Sequence, residues 1–339
     1  MRKGDGLSRR SMLTMAALAG VALTRTGAAL AQAAAPMRRI ERLDPALDAI
    51  ISADEPIKIL AEGYGGDRGQ AEGPVWWSDN GGYLLFSDIN NNRRIKYAPG
   101  QGASVFKDGT NRGNGLTRDQ QGRLVVCEAD AQRVTRIEAD GSVTVIANNY
   151  QGKRLGRPND VVVKSDGAIY FTDPGGGVSG LPWEVSMPGV YRVSPDLGSV
   201  MLLADDFLTP NGLAFSPDES VLYIDDSQRR HIRAFNLAPS GALAKASARV
   251  FADLNGPEGG VPDGMKVDAQ GNVYSGGSGG LYILDKAGKK LGRIVHGGPN
   301  TTNVAFGGPD WKTLYFTSRN FLASVNLKTA GLPVPAKKL

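Results

Sequence analysis

The sequence predicts an all-β protein folded as a six-bladed β-propeller with four-stranded blades, and three observations carry that prediction. A polar residue followed by an apolar run recurs six times, at intervals of 42, 45, 52, 52 and 40 residues. Each occurrence leads into a turn-forming stretch and then into further short, strand-like runs. No helical heptads and no βα alternation compete. Several short strands per unit, repeated every 40–50 residues or so, mark propeller blades.

The copies open with Glu72-Gly-Pro-Val-Trp-Trp77, Asn114-Gly-Leu-Thr117, Asn159-Asp-Val-Val-Val163, Asn211-Gly-Leu-Ala-Phe215, Asp263-Gly-Met-Lys-Val267 and Asn303-Val-Ala-Phe306. Turn chemistry follows each, as in Lys164-Ser165-Asp166-Gly167 and Ser216-Pro217-Asp218, where Asp-Gly and Pro-Asp favour chain reversal. Second strands rich in Tyr, Phe, Leu and Val come next: Tyr83–Ser87, Leu124–Glu128, Ala168–Asp173, Val221–Asp225, Asn272–Ser275 and Thr313–Ser318. Third strands such as Arg94-Ile-Lys-Tyr97 and fourth strands such as Val143-Thr-Val-Ile146 complete most copies. The last copy lacks a strand after Leu322–Leu327, whereas Pro56-Ile-Lys-Ile-Leu-Ala61 has no partner of its own. This N-terminal strand is expected to close the ring by completing blade six.

The composition agrees with a loop-rich β-protein. Glycine (45 residues) and proline (19) are abundant, and the apolar content is too high for a disordered chain. No run reaches the 18 or so apolar residues of a membrane span. Residues 1–33 read as a leader, with paired arginines in Ser8-Arg9-Arg10-Ser11, a mildly apolar run Met12–Leu23, and Ala-x-Ala cleavage options at Ala29–Ala31 and Ala31–Ala33. Export by the twin-arginine route, and so a periplasmic location, is the expectation. Residues 34–55 then form an N-terminal extension, and 56–339 the propeller.

The leader also explains the basic pI of about 9.2. It holds five of the basic residues against Asp5, which leaves +1 of the net charge of +5 on residues 34–339. A nucleic-acid partner would need a basic stripe on the folded domain, and none is visible. Cys127, the only cysteine, lies in the apolar run Arg123-Leu-Val-Val-Cys127 and is expected to be a small core residue.

Equivalent positions in a repeat occupy equivalent places, and the first strand of a propeller blade lines the central channel. Glu72, Asn114, Asn159, Asn211, Asp263 and Asn303 should therefore ring the axis at one mouth. Turn preference alone would admit Ser, Thr, Gly and Pro at these positions as well. Two carboxylates and four amides are costly to bury together unless something satisfies them. A hard divalent cation does so, and Ca²⁺ takes 6–8 oxygen ligands. Zinc or copper sites would use His or Cys, but His231 and His296, the only histidines, lead no repeat. A single divalent cation is expected, Ca²⁺ first, with Zn²⁺, Mn²⁺ or Mg²⁺ as alternatives.

The motifs Ala71-Glu72-Gly73-Pro74-Val75-Trp76, Arg157-Pro158-Asn159-Asp160, Pro210-Asn211-Gly212-Leu213 and Pro262-Asp263-Gly264-Met265 resemble those of the SMP-30/gluconolactonase/luciferin-regenerating-enzyme family, in its order and spacing. The resemblance implies a six-bladed propeller with Glu72, Asn159, Asn211 and Asp263 as metal ligands. It implies Arg157 and Asn114 as substrate-binding residues and a sugar lactone, D-glucono-1,5-lactone first, as substrate. Asp263 is then the candidate general base. The chain departs from related bacterial sequences at Glu128-Ala129-Asp130 and Gly175-Gly176-Gly177, where loops should reach substrate. The same ring would serve a phosphotriesterase or hold a structural metal in a binding propeller, so those readings stand beside the lactonase one. Trp76 and Trp77 are expected to pack within strands, Trp183 to serve as a lid over the cavity, His231 to be exposed, and His296 to lie in a loop. The small-molecule lactone and, for the precursor, the export machinery are the partners expected, with a monomer or small homo-oligomer.

Overall fold

In five of the six blades an Asp side chain holds the turn that joins the first two strands. In blade three, Asp166 accepts the Ala168 amide at 2.9 Å and Gly167, at φ +91°, bonds back to Lys164 at 2.8 Å. Asp119 before Gly122 and Asp268 before Gly271 repeat the device in blades two and five. Asx turns of this kind bring successive strands into antiparallel register. The result, in a computed structural model that describes residues 38–66, 70–178 and 180–335, is six antiparallel sheets in a propeller arrangement.

Blade one comprises Ala71–Trp77, Tyr83–Asp88, Arg93–Ala98 and Gly102–Asp108, and blade two Gly113–Arg118, Leu124–Glu128, Arg133–Ile137 and Val143–Ala147. Blade three runs through Val161–Val163, Ile169–Asp173, Gly189–Val193 and Val200–Ala204, and blade four through Pro210–Phe215, Val221–Asp226, His231–Asn236 and Arg249–Asp253. Met265–Val267, Val273–Gly277, Gly280–Leu284 and Lys290–Val295 form blade five; Thr301–Gly307, Thr313–Ser318 and Phe321–Asn326 form three strands of blade six. The first strand of every blade touches that of the next, and the sixth returns to the first.

Burial falls from the axis outward. Every residue of Ala71–Trp77 is buried, whereas every residue of Gly102–Asp108 is exposed. Apolar side chains of adjacent blades fill the space between sheets; Tyr170, Phe215 and Phe235, for example, join blades three and four. Trp76 stacks on Tyr315 at 5.4 Å between blades one and six, and Trp77 stacks on Tyr83 at 5.5 Å, so both act in packing. Cys127 is a fully buried free thiol, as expected.

Ring closure follows the expectation. Strand Lys58–Glu62 pairs antiparallel with Phe321–Asn326 and completes blade six, with Ile57 and Ile59 packed on the core. Part of the segment 34–55 is also built into the propeller. Arg39–Arg42 pairs with Lys290–Val295 as a fifth strand of blade five, and Leu47 from the following turn packs at Gly292, where a Cβ would lie 2.4 Å from it. The expected leader, residues 1–33, lies outside the described residues.

Candidate active site

The residue after each leading polar residue governs how close the blades come at the axis. A Cβ on Gly73 (φ +54°) would stand 2.3 Å from the Asn114 carbonyl oxygen, and one on Gly212 would stand 2.2 Å from that of Asp263. Glycine there lets backbones meet, so the leading residues crowd into one ring. Blades three and six depart from the pattern, with Asp160 and Val304 at this position, and the Asp160 carboxylate enters the ring beside Gly115. Hydroxyls of neighbouring strands tie the ring together. Ser87 donates to the Asn114 carbonyl (2.7 Å), Thr172 to that of Asn211 (2.7 Å) and Thr302 to that of Ala71 (2.6 Å).

Hydrogen bonds then settle which oxygens remain available. Asn211 donates its amide nitrogen to Ser227 Oγ at 3.0 Å, and that hydroxyl donates to the Pro262 carbonyl at 2.7 Å. Because the Ser227 proton is committed, Ser227 must accept from Asn211, which leaves Asn211 Oδ1 buried and without a partner. Asn114 Oδ1 is likewise buried and has no partner among the described residues. Glu72 receives the Gly73 amide (2.8 Å) and the Asn303 side-chain amide (3.1 Å) on Oε2 alone, and Asp263 receives Gly264 N (3.1 Å) on Oδ1. Asn303 differs from the other amides. Its oxygen accepts from its own neighbour Val304 N at 2.8 Å, so it presents a donor that clamps Glu72.

The ring is therefore an oxygen-donor set, which answers whether a hard cation fits: it does. Among the described residues no three His, Cys, Asp or Glu side chains gather closely enough to hold a metal by themselves, so a cation here depends on the amide oxygens. Glu72 and Asp263, 191 positions apart in the chain, act on each other electrostatically. Burial, then Asp263 and Asp160, push the Glu72 carboxyl well above its ordinary value. Burial, then Asp225 and Asp160, do the same to Asp263. Two of these acids escaped the reading of the repeats. Asp160 is 1% exposed, and Asp225 is fully buried with neither carboxylate oxygen hydrogen-bonded. Asp225 occupies the place that Ser87, Cys127, Thr172, Ser275 and Thr317 hold in the other blades. Burial raises the Asp160 carboxyl above its ordinary value, and Lys266 offsets only part of that rise.

A polar cavity of about 270 Å³ opens onto the ring and is lined by Asn114, Asn159, Arg157, Asn90 and Gln70, among others. Asp173 places Arg157 there by accepting the amides of Gly156 (2.7 Å), Arg157 (2.8 Å) and Gly175 (2.9 Å). Ala129 and Gly175 also line this cavity, so both places where the chain departs from related bacterial sequences face the same space. Trp183, expected as a lid, is not part of the lining. Its ring packs where a Gly175 Cβ would stand, 2.3 Å away, and it supports the loop instead. His231, expected to be exposed, is half-buried because strand His231–Asn236 is covered on its outer side by Arg249–Asp253. His296 is buried with Nε2 2.7 Å from Thr301 Oγ1, and burial lowers its pKa to about 4. A second, larger cavity of about 550 Å³ lies along the same inner strands, lined by Val75, Leu116, Val162, Phe215, Val267 and the C-terminal Leu332–Val334 among others.

The sequence pattern of the SMP-30/gluconolactonase/LRE-like region matches residues 70–320. The chain belongs to this family. A gluconolactonase of Zymomonas mobilis is 33% identical over 96% of this chain and 99% of its own length. Pentonolactonase XacC of Haloferax volcanii is 30% identical over 73% of this chain and 80% of its own. Among solved structures, a gluconolactonase of Xanthomonas campestris superposes with a TM-score of 0.76 at 33% identity, covering 86% of this chain and 96% of that one.

Proposed function

We propose that this family member is a sugar lactonase that opens an aldonolactone, D-glucono-1,5-lactone first among candidates, to the free acid. The observation that carries the reading is the pair of buried, unpartnered amide oxygens of Asn114 and Asn211, in a ring next to a polar cavity that Asn114, Asn159 and Arg157 line. The named activities of the Zymomonas and Xanthomonas relatives support it.

Glu72, Asn159, Asn211 and Asp263 would hold one divalent cation, Ca²⁺ by the hardness of the donors, with Asn114 beside them. Bound there, such an ion supplies Lewis-acid polarisation of a carbonyl oxygen. Asp263 acts as general base. Its carboxylate would take a proton from water as the water adds to the carbonyl carbon. The proton then passes to the ring oxygen as the ester C–O bond breaks, giving a hydroxyl and a carboxylic acid, which ionises to the carboxylate by releasing the second water proton to solvent. Arg157 orients the sugar and meets the carboxylate charge of the product. The amide-rich lining suits hydroxyl groups, and the cavity volume suits a single sugar ring. The paired-arginine leader supports export, so the proposed site of action is the periplasm.

Asp263→Asn keeps the shape and removes the base. It should fold normally and lose lactone hydrolysis by about 10²–10⁴-fold; full activity in that variant rules the assignment out.

A further inference from the structure

Asn90 lines the polar cavity from blade one, whereas Arg157 enters it from blade three. It belongs to the turn between Tyr83–Asp88 and Arg93–Ala98, outside every repeated motif. Arg112, from the connection between blades one and two, donates Nη2 to Asn90 Oδ1 at 2.8 Å. The two loops are cross-tied a second time, since Asn92 Oδ1 accepts the Arg112 amide at 2.8 Å and the Thr110 amide at 3.1 Å. Asn92 (φ +53°) and Arg112 (φ +49°) both hold left-handed backbone conformations, so the arrangement is one the surrounding contacts must maintain.

A guanidinium has donors only. The Asn90 amide must therefore turn its oxygen to Arg112, because a flipped amide would set N–H against N–H. Its nitrogen meets no acceptor among the described residues. We propose that Asn90, oriented by Arg112, is a specificity-determining residue that donates a hydrogen bond to a substrate oxygen remote from the lactone carbonyl, selecting polyhydroxylated lactones over bare ones. This inference rests on the lactonase reading and deepens it. Arg112 is a positioning residue whose guanidinium donates to Asn90, and through it sets the polarity that substrate meets.

The test compares kcat/KM for D-glucono-1,5-lactone with that for δ-valerolactone, which has the ester but no hydroxyls. In Asn90→Leu the ratio of the two should fall about tenfold, the worth of one hydrogen bond, with the change carried by KM. Asn90→Asp keeps the contact to Arg112 but offers an acceptor, and should fall at least as far. Arg112→Met should lower the ratio by a smaller factor, since the amide then turns freely. Equal losses on both lactones would show a structural role and overturn the proposal, as would a wild-type ratio in Asn90→Asp. Wild-type protein inactive on both lactones overturns the lactonase reading and this subsite with it.

Discussion

Replacing Ser227 with alanine tests whether the second layer of the site orients the first. The Ser227 hydroxyl is shared by two groups, accepting from Asn211 Nδ2 at 3.0 Å and donating to the Pro262 carbonyl at 2.7 Å. Its loss strands one donor and one acceptor in a half-buried position. Unsatisfied groups of this kind cost about 1–3 kcal/mol, which for a domain of this size lowers Tm by roughly 2 °C per kcal/mol. The larger effect should fall on cation binding. Without Ser227 the Asn211 amide can rotate and no longer presents Oδ1 inward by necessity, and such outer-layer losses typically weaken metal affinity by about 10–100-fold. Isothermal titration of metal-stripped protein with Ca²⁺ measures this directly. Ser275→Ala is the control, because that hydroxyl bonds only to the adjacent Gly276 carbonyl at 3.2 Å. If Ser227→Ala bound Ca²⁺ as tightly as the wild type, the claim that this bond fixes the Asn211 oxygen would fail.

The remaining expectations concern charge, closure and packing. Glu72, Asp160, Asp225 and Asp263 are all raised by burial above ordinary carboxylate values of 3.8 to 4.5, so the fold retains protons that the unfolded chain releases. Metal-free protein should therefore lose stability as pH rises above about 4, with a lower Tm at pH 8 than at pH 5. Added Ca²⁺ should raise Tm more at pH 8, and a flat metal-free profile would contradict this. Removal of residues 1–62 deletes strand Lys58–Glu62 and should abolish cooperative thermal unfolding, while removal of residues 1–35 should leave Tm unchanged; calorimetry distinguishes them. Gly73→Ala combines a left-handed φ with a 2.3 Å approach to the Asn114 carbonyl, and chemical denaturation should show a loss of about 2–4 kcal/mol.

The propeller was legible because its evidence is periodic. Six polar leads followed by apolar runs fix strand order, and an unpaired Pro56–Ala61 announced its own partner. The ring of leading residues was legible for the same reason. What escaped was whatever breaks the period. Asp160 stands where four other blades carry glycine and blade six Val304, Asp225 stands where the others carry Ser, Thr or Cys, and alignment on the common pattern hides such exceptions. Asn303 looks like the other amides in sequence, and only the bond from Val304 N shows that its oxygen is turned away. Arg39–Arg42 is too short and too polar to read as a strand without the edge of blade five to pair with. Asn90 and Arg112 meet from two separate loops, a relation that no spacing rule encodes.

Lactone opening should require a cation held by Glu72, Asn159, Asn211 and Asp263. The decisive measurement is the rate of proton release from D-glucono-1,5-lactone, corrected for spontaneous hydrolysis, in chelator-stripped protein before and after Ca²⁺ is restored. A rate at background when stripped and recovered on reconstitution is the result expected. Full turnover by protein verified to be metal-free would contradict it.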